Sequence, residues 1–173
     1  MTQETRRDFM GQVGKTALAG GAVMMGAGAT MAQPAEAEAH PSHGRQRRRV
    51  VPGSPSPVYS RAVAFGDLVW VAGVVGVKPG TKEIPRDVAD EIRQALDNLK
   101  ESVESADSRL DNVLKCTVFL KDYDHFKTFN EVYQSYFPKR PPARSTVVVK
   151  DFVVPGARIE IDCVTCVQGP PAD

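Results

Sequence analysis

Hydrophobic and polar positions fall into regular patterns only from about Val58 onward. Residues 59–65 and 68–75 are two β-prone runs separated by Gly66-Asp67, a spacing that predicts a hairpin. The second run, Leu68-Val69-Trp70-Val71-Ala72-Gly73-Val74-Val75, is continuously apolar, so both of its faces are expected to be covered. Lys78-Pro79-Gly80-Thr81 is a turn, and Asp87 then opens a helix with Asp90 three residues on. Val88, Ile92, Ala95, Leu96, Leu99 and Val103 fall on one face of that helix, with Glu91, Arg93, Lys100 and Glu101 expected off it. Residues 114–121 alternate as a strand, and 122–124 form a turn and cap. A second helix carries Phe126, Phe129, Val132, Tyr133 and Tyr136 on one stripe and must stop by Pro138. A stiff loop, 139–142, leads to two last strands at 145–149 and 159–167.

The order β-β-α-β-α-β-β predicts an α+β domain over residues 54–168, a single sheet with two helices on one face, followed by a short tail at 169–173. The other face of the sheet is not polar, and no third helix exists to cover it. Self-association is the simplest cover.

The first third of the chain has a different character. Thr5-Arg6-Arg7-Asp8-Phe9-Met10 precedes a weakly hydrophobic, Gly- and Ala-rich stretch and then Thr30-Met31-Ala32. A charged region, a modest apolar region and small residues in that order predict an export signal over 1–32. The arginine pair with Phe9 resembles the bacterial twin-arginine type, which implies a periplasmic or other extracytoplasmic address. Residues 33–53, with the run Arg45-Gln46-Arg47-Arg48-Arg49, are expected to be a disordered linker. The 173 residues are enough for one such domain, and no apolar run reaches the roughly 18 residues of a membrane span, so none is expected once the signal is removed.

Charge narrows the choice of partner. The whole chain has 22 Lys/Arg against 21 Asp/Glu; residues 1–52 hold seven and four of these, which leaves a net of −2 for the domain. A mildly acidic domain argues against nucleic acid. His is nearly absent, with His40 and His43 in the linker and His125 at a helix start, so a His triad or His-based metal centre is not expected. Cys163 and Cys166 are three apart in a strand and therefore face opposite ways, which disfavours a shared metal or a disulfide. Cys116 is expected in the core. What remains is Arg144, at the end of the Pro-rich loop, and Glu160, in Arg158-Ile159-Glu160-Ile161-Asp162. Alternation puts Ile159 and Ile161 on one face and Arg158, Glu160 and Asp162 on the other. The arginine can fork onto a carboxylate ligand, and the glutamate can orient or deprotonate a water. On pattern alone both also fit an ordinary polar face with Arg144 salt-bridged.

Several pieces together resemble the RidA/YjgF family of imine and enamine deaminases: Gly66-Asp67-Leu68-Val69-Trp70-Val71-Ala72-Gly73, Thr117-Val118-Phe119-Leu120-Lys121-Asp122, Asn130-Glu131-Val132-Tyr133, Pro142-Ala143-Arg144-Ser145 and Ile159-Glu160-Ile161. The resemblance runs from about Pro57 to Val167. It implies a chorismate-mutase-like fold and a homotrimer around a central barrel, with sites in the clefts between subunits. It further implies hydrolysis of 2-imino acids or their enamine tautomers to 2-keto acids and ammonia, with no metal or cofactor. By the same resemblance Arg144 grips the carboxylate of a small imino or keto acid and Glu160 positions the attacking water. Tyr59, Gly73 and Asn130 then line the pocket. Three positions depart from the family pattern. Ala72 stands where a Ser is frequent, Thr146 where many members have Cys, and the segment around residues 152–156 is one residue longer. An exported trimeric binding or interaction module of the same fold, with little deaminase activity, is the alternative.

Overall fold

Gly66 makes the first tight turn, with φ at +61°, a value that favours a residue without Cβ. It joins two strands of a computed structural model that describes residues 47–53 and 56–167. The proposed signal at 1–32, most of the linker and the tail at 169–173 lie outside the described residues. The strands are β1 (Arg48–Val50), β2 (Ala62–Phe65), β3 (Leu68–Val75), β4 (Val113–Leu120), β5 (Ala143–Val148) and β6 (Ile159–Cys166); the helices are α1 (Val88–Glu104) and α2 (His125–Tyr136). They form one mixed sheet in the order β1-β2-β3-β6-β4-β5. Only β4 and β5 run parallel, joined by α2 as a crossover; every other pairing is antiparallel.

The predicted order is preserved, with one strand added at its start. The expected linker does not run to residue 53, because Arg48–Val50 pair with β2 and Val51 is only 1% exposed. Pairing with a neighbouring edge, and an apolar Val51 to bury, outweigh the local charge of the arginine run.

Asp87 caps α1, its Oδ1 accepting from the amides of Ala89 at 2.9 Å and Asp90 at 3.1 Å. The apolar stripe is as expected: Ile92, Leu96, Leu99 and Val103 are fully buried against the sheet. Below them lie Val69, Val71, Val118, Leu120, Ile159 and Ile161, one face of β3, β4 and β6. Phe129 of α2 is buried in the same core, and α2 ends before Pro138.

Among the described residues nothing covers the reverse face. Trp70 is 45% exposed; Phe65 and Leu68 are exposed near it, and Val147 is exposed on the same face at the β5 edge. Among the described residues β3 is therefore covered on one face, and the other presents an aromatic and aliphatic surface.

Two side chains depart from the expected pattern. Glu91, expected on the solvated side of α1, has no exposure at all. Its Oε1 accepts from the backbone N–H of Arg158 at 2.7 Å and its Oε2 from Arg158 Nε at 2.5 Å. Arg158, expected to share a face with Glu160 and Asp162, precedes β6 and turns toward α1 instead, where its Nη2 also donates to Pro85 O at 2.7 Å. Alternation could not place it, because it lies outside the strand.

Candidate active site

The parallel register sets Arg144 opposite Cys116, which is fully buried on the helix-covered face. Arg144 therefore points to the same side. As β5 is the edge strand, the side chain emerges beside α2 rather than beneath it. There its guanidinium carbon lies 4.8 Å from the ring centroid of Tyr133, 5.1 Å from that of Phe129 and 6.0 Å from that of Phe126. Arg144 Nη2 donates to Asn130 Oδ1 at 2.7 Å. Phe126, Phe129, Asn130 and Tyr133 are three or four residues apart, so one stripe of α2 supplies the whole support. Cation–π contact and a charge-assisted hydrogen bond fix the guanidinium while leaving most of its five donors for a ligand.

Recesses flank the guanidinium on two sides. One of about 510 Å³ is bounded by Asn130, Gln134, Pro138 and Pro142. Another of about 260 Å³ is walled by Leu120, Tyr123, Phe126, Thr146 and Val148, an apolar shelf with the positive charge at one end. On the larger recess, the buried Tyr133 hydroxyl makes no hydrogen bond of ordinary geometry. Burial and the adjacent Cys116 thiol push its pKa up, so it stays neutral. Burial likewise raises the Cys116 thiol.

Glu160 occupies the opposite face. Ile159 and Ile161 are buried under α1, so alternation turns Glu160 to the uncovered side. There β3 carries a bulge: Val71 pairs with Cys163 and Val74 with Ile161, so Ala72 and Gly73 together oppose Asp162. The Glu160 carboxylate lies on Gly73, where an added Cβ would fall 2.0 Å from Oε1. Burial, and then the like charge of Asp162, raise the Glu160 carboxyl above the usual carboxylate range. Gly73 also borders a third recess, of about 430 Å³, with Tyr59, Ala72 and Asn98.

The five expected residues thus form two groups within one chain. Arg144 and Asn130 meet directly on the helix-covered side. Glu160 and Gly73 meet on the uncovered side, with Tyr59 on the recess that Gly73 borders. Arg144 and Glu160 are not brought together, because they lie two strands apart on opposite faces. The aromatic support of Arg144 is what the sequence reading missed. The sequence shows its rings only as one helical stripe, and a buried stripe and a binding shelf share the same helical spacing.

Cys163 and Cys166 face opposite ways, as alternation requires, while β4 and β6 set Cys116 directly across from Cys163. Among the described residues no three His, Cys, Asp or Glu side chains cluster as a metal site. No helix among them is long and apolar enough to cross a membrane.

Comparison with known proteins agrees with this layout. The family model described as Endoribonuclease L-PSP matches residues 52–167. A RutC family protein of Sulfurisphaera tokodaii is 43% identical over 119 residues, covering 67% of this chain and 94% of that protein. The 2-iminobutanoate/2-iminopropanoate deaminase of Rattus norvegicus is 39% identical over 128 residues, covering 71% of this chain and 92% of that protein. The crystal structure of the YjgF gene product of E. coli superposes with a TM-score of 0.63 at 34% identity, covering 69% of this chain and 99% of that one. The model match spans most of the chain and both helices and five of the six strands lie within it, so the chain belongs to the Endoribonuclease L-PSP family, the RidA/YjgF family that its motifs resemble.

Proposed function

We propose that the protein hydrolyses reactive 2-imino acids, or their enamine tautomers, to 2-keto acids and ammonia in clefts between copies of itself. The observation that carries this reading is Arg144, held by Asn130 and three aromatic rings at the head of two recesses. Such a group fits a small carboxylate. The deaminase name of the rat relative supports the same reaction class.

The chemistry asks little more of the protein. Water adds to the electrophilic carbon of the protonated imine: its oxygen forms the new C–O bond, the π electrons pass to nitrogen, and a base takes one proton from that oxygen. The base returns this proton to the carbinolamine nitrogen; the hydroxyl oxygen then forms the C=O bond and gives its remaining proton back to the base as the C–N bond breaks, releasing 2-keto acid and ammonia. Glu160 suits the role of base, since a raised pKa makes it a better proton acceptor than an ordinary carboxylate. Arg144 fixes the substrate so that the addition gains from proximity. The apolar shelf of Leu120, Phe126 and Val148 takes the substrate's carbon chain.

The two groups of residues lie on opposite faces of the sheet, so a second copy must bring its Glu160 side to the Arg144 side of the first. Such a head-to-tail contact closes as a ring, and three copies with their exposed sheet faces inward cover Trp70, Leu68 and Val147. The N-terminal segment addresses this assembly outward. Replacing Arg6 and Arg7 with Lys is expected to leave it in the cytoplasmic fraction.

The deciding assay supplies 2-iminopropanoate, generated in situ from alanine by an amino-acid oxidase, to the protein and to Arg144→Ala. The expected result is faster formation of keto acid and ammonia with the unsubstituted protein. Equal rates refute the deaminase reading, and saturable binding without turnover supports a binding module instead.

A further inference from the structure

We propose that Glu91 is a positioning residue for the reaction: through Arg158 and Gly76 it locks the two strands whose contact aims the Glu160 carboxylate. The inference rests on the reading of Glu160 as the group that acts on the attacking water. Glu91 is the one fully buried acidic side chain among the described residues. Each of its oxygens is used. Oε1 takes the backbone amide of Arg158, two residues before Glu160, and Oε2 takes the Arg158 side chain at Nε. Arg158 is held further by Pro85 O through Nη2 at 2.7 Å, and its own carbonyl accepts from the Lys121 amide at 2.8 Å. The residue that leads into β6 is therefore tied at once to α1, to the segment before it and to the residue that follows β4.

The second anchor is the residue that follows β3. Gly76 packs so closely on α1 that a Cβ there would lie 2.4 Å from Glu91 O and 2.5 Å from Glu91 Cγ. Three residues back, within β3, is Gly73, the surface on which the Glu160 carboxylate rests. Val75 is the register partner of Glu160 itself. One residue of α1 thus touches both sides of the β3–β6 pair, next to the bulge where that pair departs from regular spacing. A purely stabilising role does not need this placement. A buried carboxylate gains little over an apolar side chain of similar size, whereas a fully bonded one specifies a single geometry.

The test is steady-state kinetics of the full chain carrying Glu91→Gln, with Arg158→Lys and Glu160→Gln beside it. 2-Iminopropanoate generated in situ is the substrate, with circular dichroism and light scattering on each variant. The amide of Gln turns a donor toward a donor, which breaks half of the clamp and keeps the volume. The expected result for a folded Glu91→Gln is a kcat lower by about tenfold to a hundredfold, with KM within about twofold of the original because Arg144 still grips the carboxylate. Arg158→Lys should fall between the two. An unchanged kcat, or a KM that rises in step with the loss, overturns the proposal. If Glu91→Gln does not fold, Arg158→Lys is judged by the same criterion. If Glu160→Gln retains the full kcat, the functional reading fails instead, and a crystal structure of the Glu91 variant then decides the positioning claim. A carboxylate shifted off Gly73 upholds it, and an unmoved one overturns it.

Discussion

Gly73→Ala separates the chemistry of the site from the stability of its scaffold. The new methyl carbon would lie 2.0 Å from Glu160 Oε1, 3.0 Å from its Cδ and 3.2 Å from its Cγ. Ordinary contact needs about 3.5 Å, so the carboxylate must withdraw by roughly 1.5 Å while the rest of the side chain gives by a few tenths of an ångström. Gly73 is not among the glycines with positive φ, so alanine meets no backbone strain there. The colliding atoms are the far end of one side chain on an exposed face, so the fold should yield cheaply; a change in Tm of no more than a few degrees is expected for such a site. Catalysis should not yield cheaply. A displacement of about 1 Å at a reacting group can cost about a hundredfold in rate, which corresponds to roughly 2.7 kcal/mol of transition-state stabilisation. The assay is kcat/KM for keto-acid release from 2-iminopropanoate, with a thermal melt on the same preparation. A variant that melts like its parent and retains its kcat/KM would refute the claim that the Glu160 carboxylate works from its place on Gly73.

Other substitutions probe the remaining parts. Arg144→Lys keeps the charge and loses the planar fork, while Arg144→Ala removes both; losses in kcat/KM of about 2–4 kcal/mol are expected for alanine, with lysine between. Glu160 accepts a proton only when ionised, so the rate should fall as pH drops through its raised pKa, at a higher pH than an ordinary carboxylate would give. Asp162→Asn removes the like charge and leaves the larger effect, burial, in place. The acid limb of the pH–rate profile should therefore move to lower pH without reaching the position of an exposed carboxylate. Trp70→Glu puts a charge on the uncovered face and should reduce the mass measured by light scattering toward that of one chain. An unaltered mass would place the interface elsewhere.

The parts of the fold that the sequence made legible are those where burial repeats at a fixed period. Ile92, Leu96, Leu99 and Val103 recur at helical spacing because one side of α1 is dry, and Ile159 and Ile161 alternate because one side of β6 is. Arg48–Val50 were not legible as a strand, since three residues, two of them arginine, owe their conformation to pairing with Ala62–Phe65 rather than to their own preference. Glu91 was not legible as buried either. A glutamate on a helix flank is solvated unless a partner arrives, and here the partner stands 67 residues away in sequence. The aromatic support of Arg144 was visible as a stripe, but periodicity marks only that a face is covered and does not say by what.

The separation of Arg144 from Glu160 follows from the same alternation and carries the most weight for function. Arg144 shares a face with Cys116, and Glu160 lies opposite the face of Ile159 and Ile161. Bringing either to the other side within one chain would need a one-residue slip of its strand, and that slip would turn Ile159, Ile161 and Cys163, or the register of β5 on β4, inside out. Local motion therefore cannot close the site. On the proposed reading it closes only when one copy's uncovered face meets another's β5 edge, so assembly and activity are linked by mass action. Diluting the protein, or weakening the packing around Trp70, should then remove activity with Arg144 and Glu160 both intact. The loss should follow the fraction dissociated, and substitutions on the outer surface of α1 should leave it unchanged.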